Sequence, residues 1–392
     1  LAAADNSSGP ADKGGLPLGA VDQRDVAAAE PRQEIKVFVH LARDKDERAW
    51  RNAKAAGQLV GINDETPYGY GRAKNMGCHV EFSRSGAENA LGAALRMGLR
   101  VLLGFDLMHA WRQRDAIRRA DFVWTHTESQ YLAVATVARA TRAPTRLLGQ
   151  TVWLMDRWPE LGFLRRAFYR RLIRDIDILT FHSSLNLGRA QALFPEKRLE
   201  RVRFGIPAEA AAEPKRRAAQ PVEVLAMGND RHRDWACLIE AVAGRADMNL
   251  QILSNAVRPR LARGASNIRI GRARNQGELV AALRKATLVC VPLLPNLHAS
   301  GITVIQEAVL AGVPVVATDT GGLDAYFARD EIKYVPAGDA RALRAALIEL
   351  AADPDAALAQ ARRAQTRMTS GEIGAEAYIR RHVELTREIL KR

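Results

Sequence analysis

From Ile35 onward, short apolar runs alternate with amphipathic stretches of helical period, which predicts strands alternating with helices. IKVFVHLA (35–42), CHVEFS (78–83), RVLLGF (100–105), DFVWTH (121–126), TRLLG (145–149), DILTFHS (177–183) and RVRFGI (201–206) read as strands. Helices are expected between them near 46–58, 87–98, 109–119, 128–140, 160–174 and 186–194. A second series follows, with strands VEVLAM (222–227), LQILS (250–254), NIRIG (267–271), LVCVPL (288–293) and VPVVAT (313–318). Helices near 340–352, 355–368 and 372–391 close the chain. Strands of this kind, apolar on both faces, belong in parallel sheets covered by helices. Between the two series, PAEAAAEPKRRAAQP (207–221) is charged, alanine-rich and flanked by prolines, and reads as a linker. Residues 1–34 carry Ala, Gly, Pro, Asp and Ser in no period and read as a disordered tail.

At 392 residues the chain accommodates two α/β domains, each with its own core. The three cysteines, Cys78, Cys237 and Cys290, have neither pairing nor metal-ligand spacing, which points to buried thiols in a reducing compartment. No apolar run approaches the roughly 20 residues of a spanning helix, and the first residues lack the apolar core of a signal peptide. A cytoplasmic protein is the expectation. The formal charge of +14 calls for an anionic partner. No nucleic-acid recognition motif or arginine–aromatic patch is present, so nucleic acid is not expected.

RRAFYRRLIR (165–174) concentrates five arginines among large apolar residues. At 100° per residue Leu164, Phe168, Tyr169, Leu172 and Ile173 share one arc, and Arg166, Arg170, Arg171 and Arg174 the opposite one. This is a basic amphipathic helix, suited either to an anionic leaflet or to the outer layer of an α/β domain. A second basic cluster, WRQRDAIRR (111–119), favours the leaflet.

The densest chemistry lies in HASGITVIQEAVLAGVPVVATDTGG (298–322). A small-residue turn (Ala299, Ser300, Gly301) precedes a helix carrying Glu307, then a buried strand and a turn at Gly321-Gly322. Gly301 permits close backbone approach, and the N–H groups of Ile302 and Thr303 are expected to face outward from the positive helix end, as a phosphate site requires. A loop at the end of another buried strand, Gly228-Asn229-Asp230-Arg231-His232-Arg233-Asp234, opens onto the same sheet end and offers two cations. Residues 61–77, GINDETPYGYGRAKNMG, form a glycine-rich loop whose Glu65 and Tyr68 suit sugar hydroxyls and sugar faces. His126 ends a strand at the opposite side of the expected cleft. The triplet Asp175-Ile176-Asp177 joins a helix to a strand, and no metal is expected.

The 298–322 stretch resembles the family-4 retaining glycosyltransferases of the GT-B fold. The resemblance implies that Glu307 holds the nucleotide ribose, as the second of two glutamates separated by seven residues. The first has become Ala299, leaving its sugar contact to Ser300 or nearby backbone. It also implies that Arg231 and Arg233 hold the donor diphosphate, that Gly271-Arg272 lies against the nucleobase, and that a last helix crosses back to the first domain. Gln150 stands where the family often presents a histidine.

The resulting expectation is GT-B: a doubly wound, Rossmann-like acceptor domain (35–206), the linker, a donor domain (222–370), and a C-terminal helix (371–392) returning to the first domain. Arg231, Arg233 and Glu307 are the catalytic candidates, and Gly228, Arg272, Ser300, Gly301, Ile302, Thr303 and Glu307 the donor contacts. Glu65, Tyr68, His126 and Gln150 are acceptor or sugar candidates, and Arg166, Arg170, Arg171 and Arg174 face the membrane. The expected reaction moves a sugar from a nucleotide diphosphate sugar to a lipid-linked or glycolipid acceptor at the inner membrane face, with retention and without metal or cofactor. A sugar-nucleotide epimerase of the same fold, or a non-catalytic binding partner of another transferase, are the alternatives.

Overall fold

Strands β1 (Ile35–His40), β2 (Cys78–Phe82), β3 (Phe122–Thr125), β4 (Arg146–Thr151), β5 (Ile178–Phe181) and β6 (Leu199–Arg201) form one sheet in the order β2-β1-β3-β4-β5-β6. Strands β7 (Val222–Met227), β8 (Met248–Leu253), β9 (Ile268–Gly271), β10 (Leu288–Val291), β11 (Val315–Thr318) and β12 (Lys333–Val335) form a second, β12-β11-β10-β7-β8-β9. Every ladder is parallel. This computed structural model describes residues 34–391, so all but the last residue of the tail read over 1–34 lies outside the described residues. Strands β3, β5, β10 and β11 are buried at every position, as apolar strands covered on both faces must be.

The covering helices of the first half are α1 (Glu47–Ala55), α2 (Ala90–Leu103), α3 (Leu107–Arg112), α4 (Arg114–Arg119), α5 (Glu128–Thr141), α6 (Leu154–Arg157), α7 (Phe163–Arg174) and α8 (Ser184–Leu193). Those of the second are α9 (Trp235–Val242), α10 (Gln276–Lys285), α11 (Ile302–Leu310), α12 (Ala340–Ala352) and α13 (Pro354–Thr369). Strand order reverses between β1 and β3 in one sheet and between β7 and β10 in the other. A crevice opens at the carboxyl ends of strands at such a switch point, and the loops after β7 and β10 meet there.

The last described helix, α14 (Ala375–Leu390), packs on the first sheet. Trp124 of β3 donates its indole N–H to Thr386 Oγ1 at 2.9 Å, and the hydroxyls of Tyr70 and Tyr378 lie 2.9 Å apart. Both partners are buried, so the bonds also satisfy groups that would be costly to leave unpaired.

Three expectations change. Residues 100–105, read as a strand, are the end of α2, which stops at Gly104 in the left-handed region (φ 86°). Asn89 caps the start of α2 by accepting from Gly92 N–H, so the run continues a helix already begun at Ala90. The strand read over 201–206 is shorter and earlier, since Val202 to Ile206 leave the sheet edge and Ile206 enters the core of the second half. In α7 only Tyr169, Leu172 and Ile173 of the apolar arc are buried, because its first turn projects past the core and leaves Leu164 exposed. No helix among the described residues is long and apolar enough to cross a membrane.

Candidate active site

The loop after β7 is fixed by backbone. Asp234 N–H donates to Pro292 O at 3.0 Å and Leu294 N–H to His232 O at 2.8 Å, tying it to the chain that leaves β10. Asp234 then caps α9 by accepting from Cys237 N–H. In this clamp Arg231 is exposed, whereas Arg233 turns inward and is only 6% exposed.

The Arg233 guanidinium lies between two glycines. A Cβ on Gly301 would sit 2.6 Å from Nη1, and one on Gly228 would overlap Nη2. Both glycines have positive φ, 120° at Gly228 and 87° at Gly301. Nε and Nη1 are buried without a hydrogen-bond partner. Burial draws the guanidinium down to about 10, with the Asp230 charge opposing. A buried, unpaired cation is costly unless an anion completes it, and a guanidinium fork fits phosphate oxygens.

At the same place, the Ser300 hydroxyl is buried and also without a partner. Ala299 holds a left-handed φ of 55°, which costs a non-glycine residue about 1 kcal/mol or more. Exposed Thr303, in the first turn of α11, keeps an N–H that has no partner within the helix. Ile302 does not: its N–H closes a turn onto Ala299 O at 3.2 Å, and its side chain is buried. The tight turn that positions Ser300 consumes that donor.

Glu307 is 8% exposed, and burial lifts its carboxyl to about 7 against the pull of one backbone bond, from Ile62 N–H at 3.1 Å. That bond comes from the 61–77 loop of the first half. Gly61 N–H beside it donates to Gln276 Oε1 at 2.6 Å. A cavity of about 260 Å³ opens here, lined by Gly61, Gly228, Leu253, Arg272, Val304 and Glu307. Gly61 has φ 100°, and a Cβ on it would overlap the Glu307 carboxylate. Gly61→Ala is therefore expected to detach the loop and lower stability by about 1–3 kcal/mol. Chemical denaturation, with nucleotide affinity measured alongside, checks this.

A third cluster joins the halves. His298, before the Ala299 turn, presents Nδ1 to Asp156 Oδ2 of α6 at 2.7 Å and Nε2 to Asp230 Oδ2 at 3.2 Å. Leu297 N–H donates to Asp156 Oδ1 at 2.8 Å. Burial opposes charge on His298, but the bonds and charges of the two aspartates outweigh it and lift the imidazole to about 9. Burial likewise opposes charge on Asp230, yet its bonds from His298 and His232 hold it far below the usual carboxylate range. His298 is an imidazolium held between two carboxylates. Sequence reading passed over it because Asp156 lies 142 residues away and Asp230 sits in the loop after a different strand. One ligand atom each from Asp230, His232 and His298 lies within 4.8 Å of the others.

The first-half candidates do not form one group. Gln150 is fully buried, donating to Thr180 O at 3.0 Å and accepting from Thr180 Oγ1 at 2.8 Å. It sits within central strand β4 with its side chain spent on β5, so it reaches no sugar. His126 and Tyr68 stack at 3.6 Å between ring centroids, and Tyr70 OH lies 3.2 Å from His126 Nδ1. Burial holds His126 well below its ordinary pKa, so it is neutral. Glu65 is exposed and paired with Lys54. On α7, Arg170, Arg171 and Arg174 are exposed, while half-buried Arg166 donates to Pro159 O at 2.7 Å.

Two six-stranded parallel sheets covered by helices are the GT-B architecture, and solved structures share it. Sucrose-phosphate synthase of Thermosynechococcus elongatus superposes with a TM-score of 0.66 at 15% identity, covering 91% of this chain and 99% of that one. HepE of Anabaena, solved with UDP and glucose, gives 0.61 at 16% identity over 89% and 98%. The UDP-forming α,α-trehalose-phosphate synthase of Burkholderia vietnamiensis gives 0.60 at 12% over 90% and 100%. Residues 222–353 match the family described as glycosyl transferases group 1. That segment, which contains Arg233, Ser300 and Glu307, is a glycosyltransferase domain, and the fold around it is GT-B. No curated protein sequence matches the chain.

Proposed function

We propose that this enzyme transfers a glycosyl unit from a UDP-sugar, with retention, to a lipid-linked or glycolipid acceptor at an anionic membrane surface. The observation that carries the donor half of this reading is the unpaired, buried Arg233 guanidinium beside the unpaired Ser300 hydroxyl at the start of α11. A diphosphate bridging them supplies the missing partners. As the anomeric bond breaks, charge grows on the leaving phosphate, and preorganised donors in a dry site stabilise it without reorganisation. Arg233 and the α11 dipole do what a metal ion does in other phosphate sites, and the proposed reaction uses none. Glu307 accepts the ribose hydroxyls, and Arg272 borders the base. UDP is chosen because two of the structural relatives are described with it. The lipid acceptor is supported by the basic charge and by the exposed arginines of α7.

Thermal stability with saturating UDP, GDP and ADP tests the donor site. A ligand at about 100 times its Kd adds roughly 2.7 kcal/mol to the folded state, so UDP is expected to raise the melting temperature most. Glu307→Gln is expected to weaken UDP by at least about tenfold, as loss of a charged hydrogen-bond acceptor does. The same variant is expected to be more stable without ligand at pH 8. A carboxyl raised from 4.5 to about 7 disfavours its charged form in the folded state, a cost that grows from pH 4.5 and is complete above 7. Glutamine removes it, a gain of roughly 3 kcal/mol. Equal shifts with all three nucleotides, or with none, would sink the donor reading.

A further inference from the structure

Helix α2 is built inside out. None of its fourteen residues is buried, and Leu91, Val101 and Leu102 are 80%, 74% and 69% exposed. At 100° per residue Leu91, Leu95, Gly98 and Leu102 share one face, with Ala94 and Val101 beside them, and Arg96 and Arg100 lie on the other. An amphipathic helix of a water-soluble domain turns its apolar stripe to the core. Here the inward side is polar: Arg96 bonds Glu88 at 2.9 Å and Asp106 at 2.8 Å. From α7, Arg165 Nη2 donates to Val101 O and Leu102 O at 3.2 and 2.9 Å. The helix is fastened by ion pairs, backbone bonds and Leu103, which packs against the core, while Leu91, Leu95 and Leu102 face away. A Cβ on Gly98 would meet nothing within 4 Å.

The apolar face continues beyond α2. Arg165 fixes the first turn of α7 beside the end of α2, and that turn exposes Phe163 and Leu164 (79% and 72%). Trp111 on neighbouring α3 is exposed as well. Arg112 on α3 and Arg170 and Arg171 on α7 are exposed too. Leucines and aromatics framed by arginines, on a chain of net charge +14, match the interface of an anionic bilayer, where apolar side chains enter the acyl boundary and basic ones meet phosphates.

We propose that the apolar face of α2, with Phe163 and Leu164, seats the protein in an anionic leaflet. This rests on the membrane part of the functional reading, and it moves the contact from the α7 arginines to the α2 leucines, with the arginines as rim.

The test is flotation with phosphatidylcholine vesicles, with and without phosphatidylglycerol, for the native protein and Leu91→Ser/Leu102→Ser. The UDP melting shift of each is recorded as a fold control. Native protein is expected to float with the anionic vesicles. The double variant should lose on the order of tenfold or more in binding, as removal of apolar area from an interface predicts, with its UDP shift intact. Three results overturn the proposal: native protein that stays unbound, a variant that floats equally well, or light scattering that shows a dimer which the substitutions split. The last would mean that a second copy covers this face. Flotation without any nucleotide shift leaves the seat standing and removes the donor reading instead.

Discussion

Arg233→Met is expected to make the ligand-free protein more stable while weakening UDP by at least about a hundredfold. The two effects share one cause. The guanidinium is buried with two nitrogens unpaired, so replacing it by an apolar chain of similar length relieves desolvation, worth about 1–4 kcal/mol where buried ions have been exchanged for hydrophobic residues. The same exchange deletes two charge-assisted bonds to the diphosphate, each worth about 1.5–3 kcal/mol. Uridine, which carries no phosphate, should bind both proteins equally. Calorimetry with uridine and UDP separates the cases: equal losses for both would mean that Arg233 supports the loop and does not hold phosphate. Arg231→Met, an exposed change in the same loop, should move either measurement little.

His298→Ala is expected to cost about 3 kcal/mol, because it leaves Asp156 and Asp230 facing each other without the cation between them. The effect is pH-dependent. His298 is raised from 6.5 to about 9 on folding, so its stabilisation is complete below pH 6.5 and is lost as pH climbs through 9. Asp230 is depressed, so its share is present above its ordinary 3.8 and is lost as pH falls. Glu307 is largely ionised by pH 8, and the buried thiols Cys237 and Cys290, raised on folding, are common to both proteins, so the difference between the two profiles reports the histidine. Native protein should lose more stability than His298→Ala between pH 7 and 9, as read from urea midpoints at each pH. A native profile flat from 7 to 9 would show that His298 is not held charged.

What the chain discloses on paper depends on how far apart the cooperating residues lie. Gly228 and Arg233 follow one strand and Ser300 and Gly301 the connection after another, and doubly wound sheets bring such ends together, while Glu307 was added by the family resemblance. Which loop arginine turns inward was not legible, since the clamp from residues 292–294 decides it. His298 stayed hidden for the same reason, its partner being on another sheet's helix. Gln150 was misplaced because a strand shows its period in sequence but not which face meets the cleft. The 100–105 run was misread because Val-Leu-Leu suits a buried strand and an exposed helix alike. Periodicity assumes that leucines seek the protein core, and in α2 Leu91, Leu95 and Leu102 do not.

Helix α14 also sets an order of events during synthesis. The partners of Tyr70 and Trp124 lie 308 and 262 residues further along the chain, so the first sheet leaves the ribosome long before the helix that completes its core. Chains grow at roughly 5–20 residues per second. The first sheet therefore stays uncovered on its α14 side until residues 375–390 have been made.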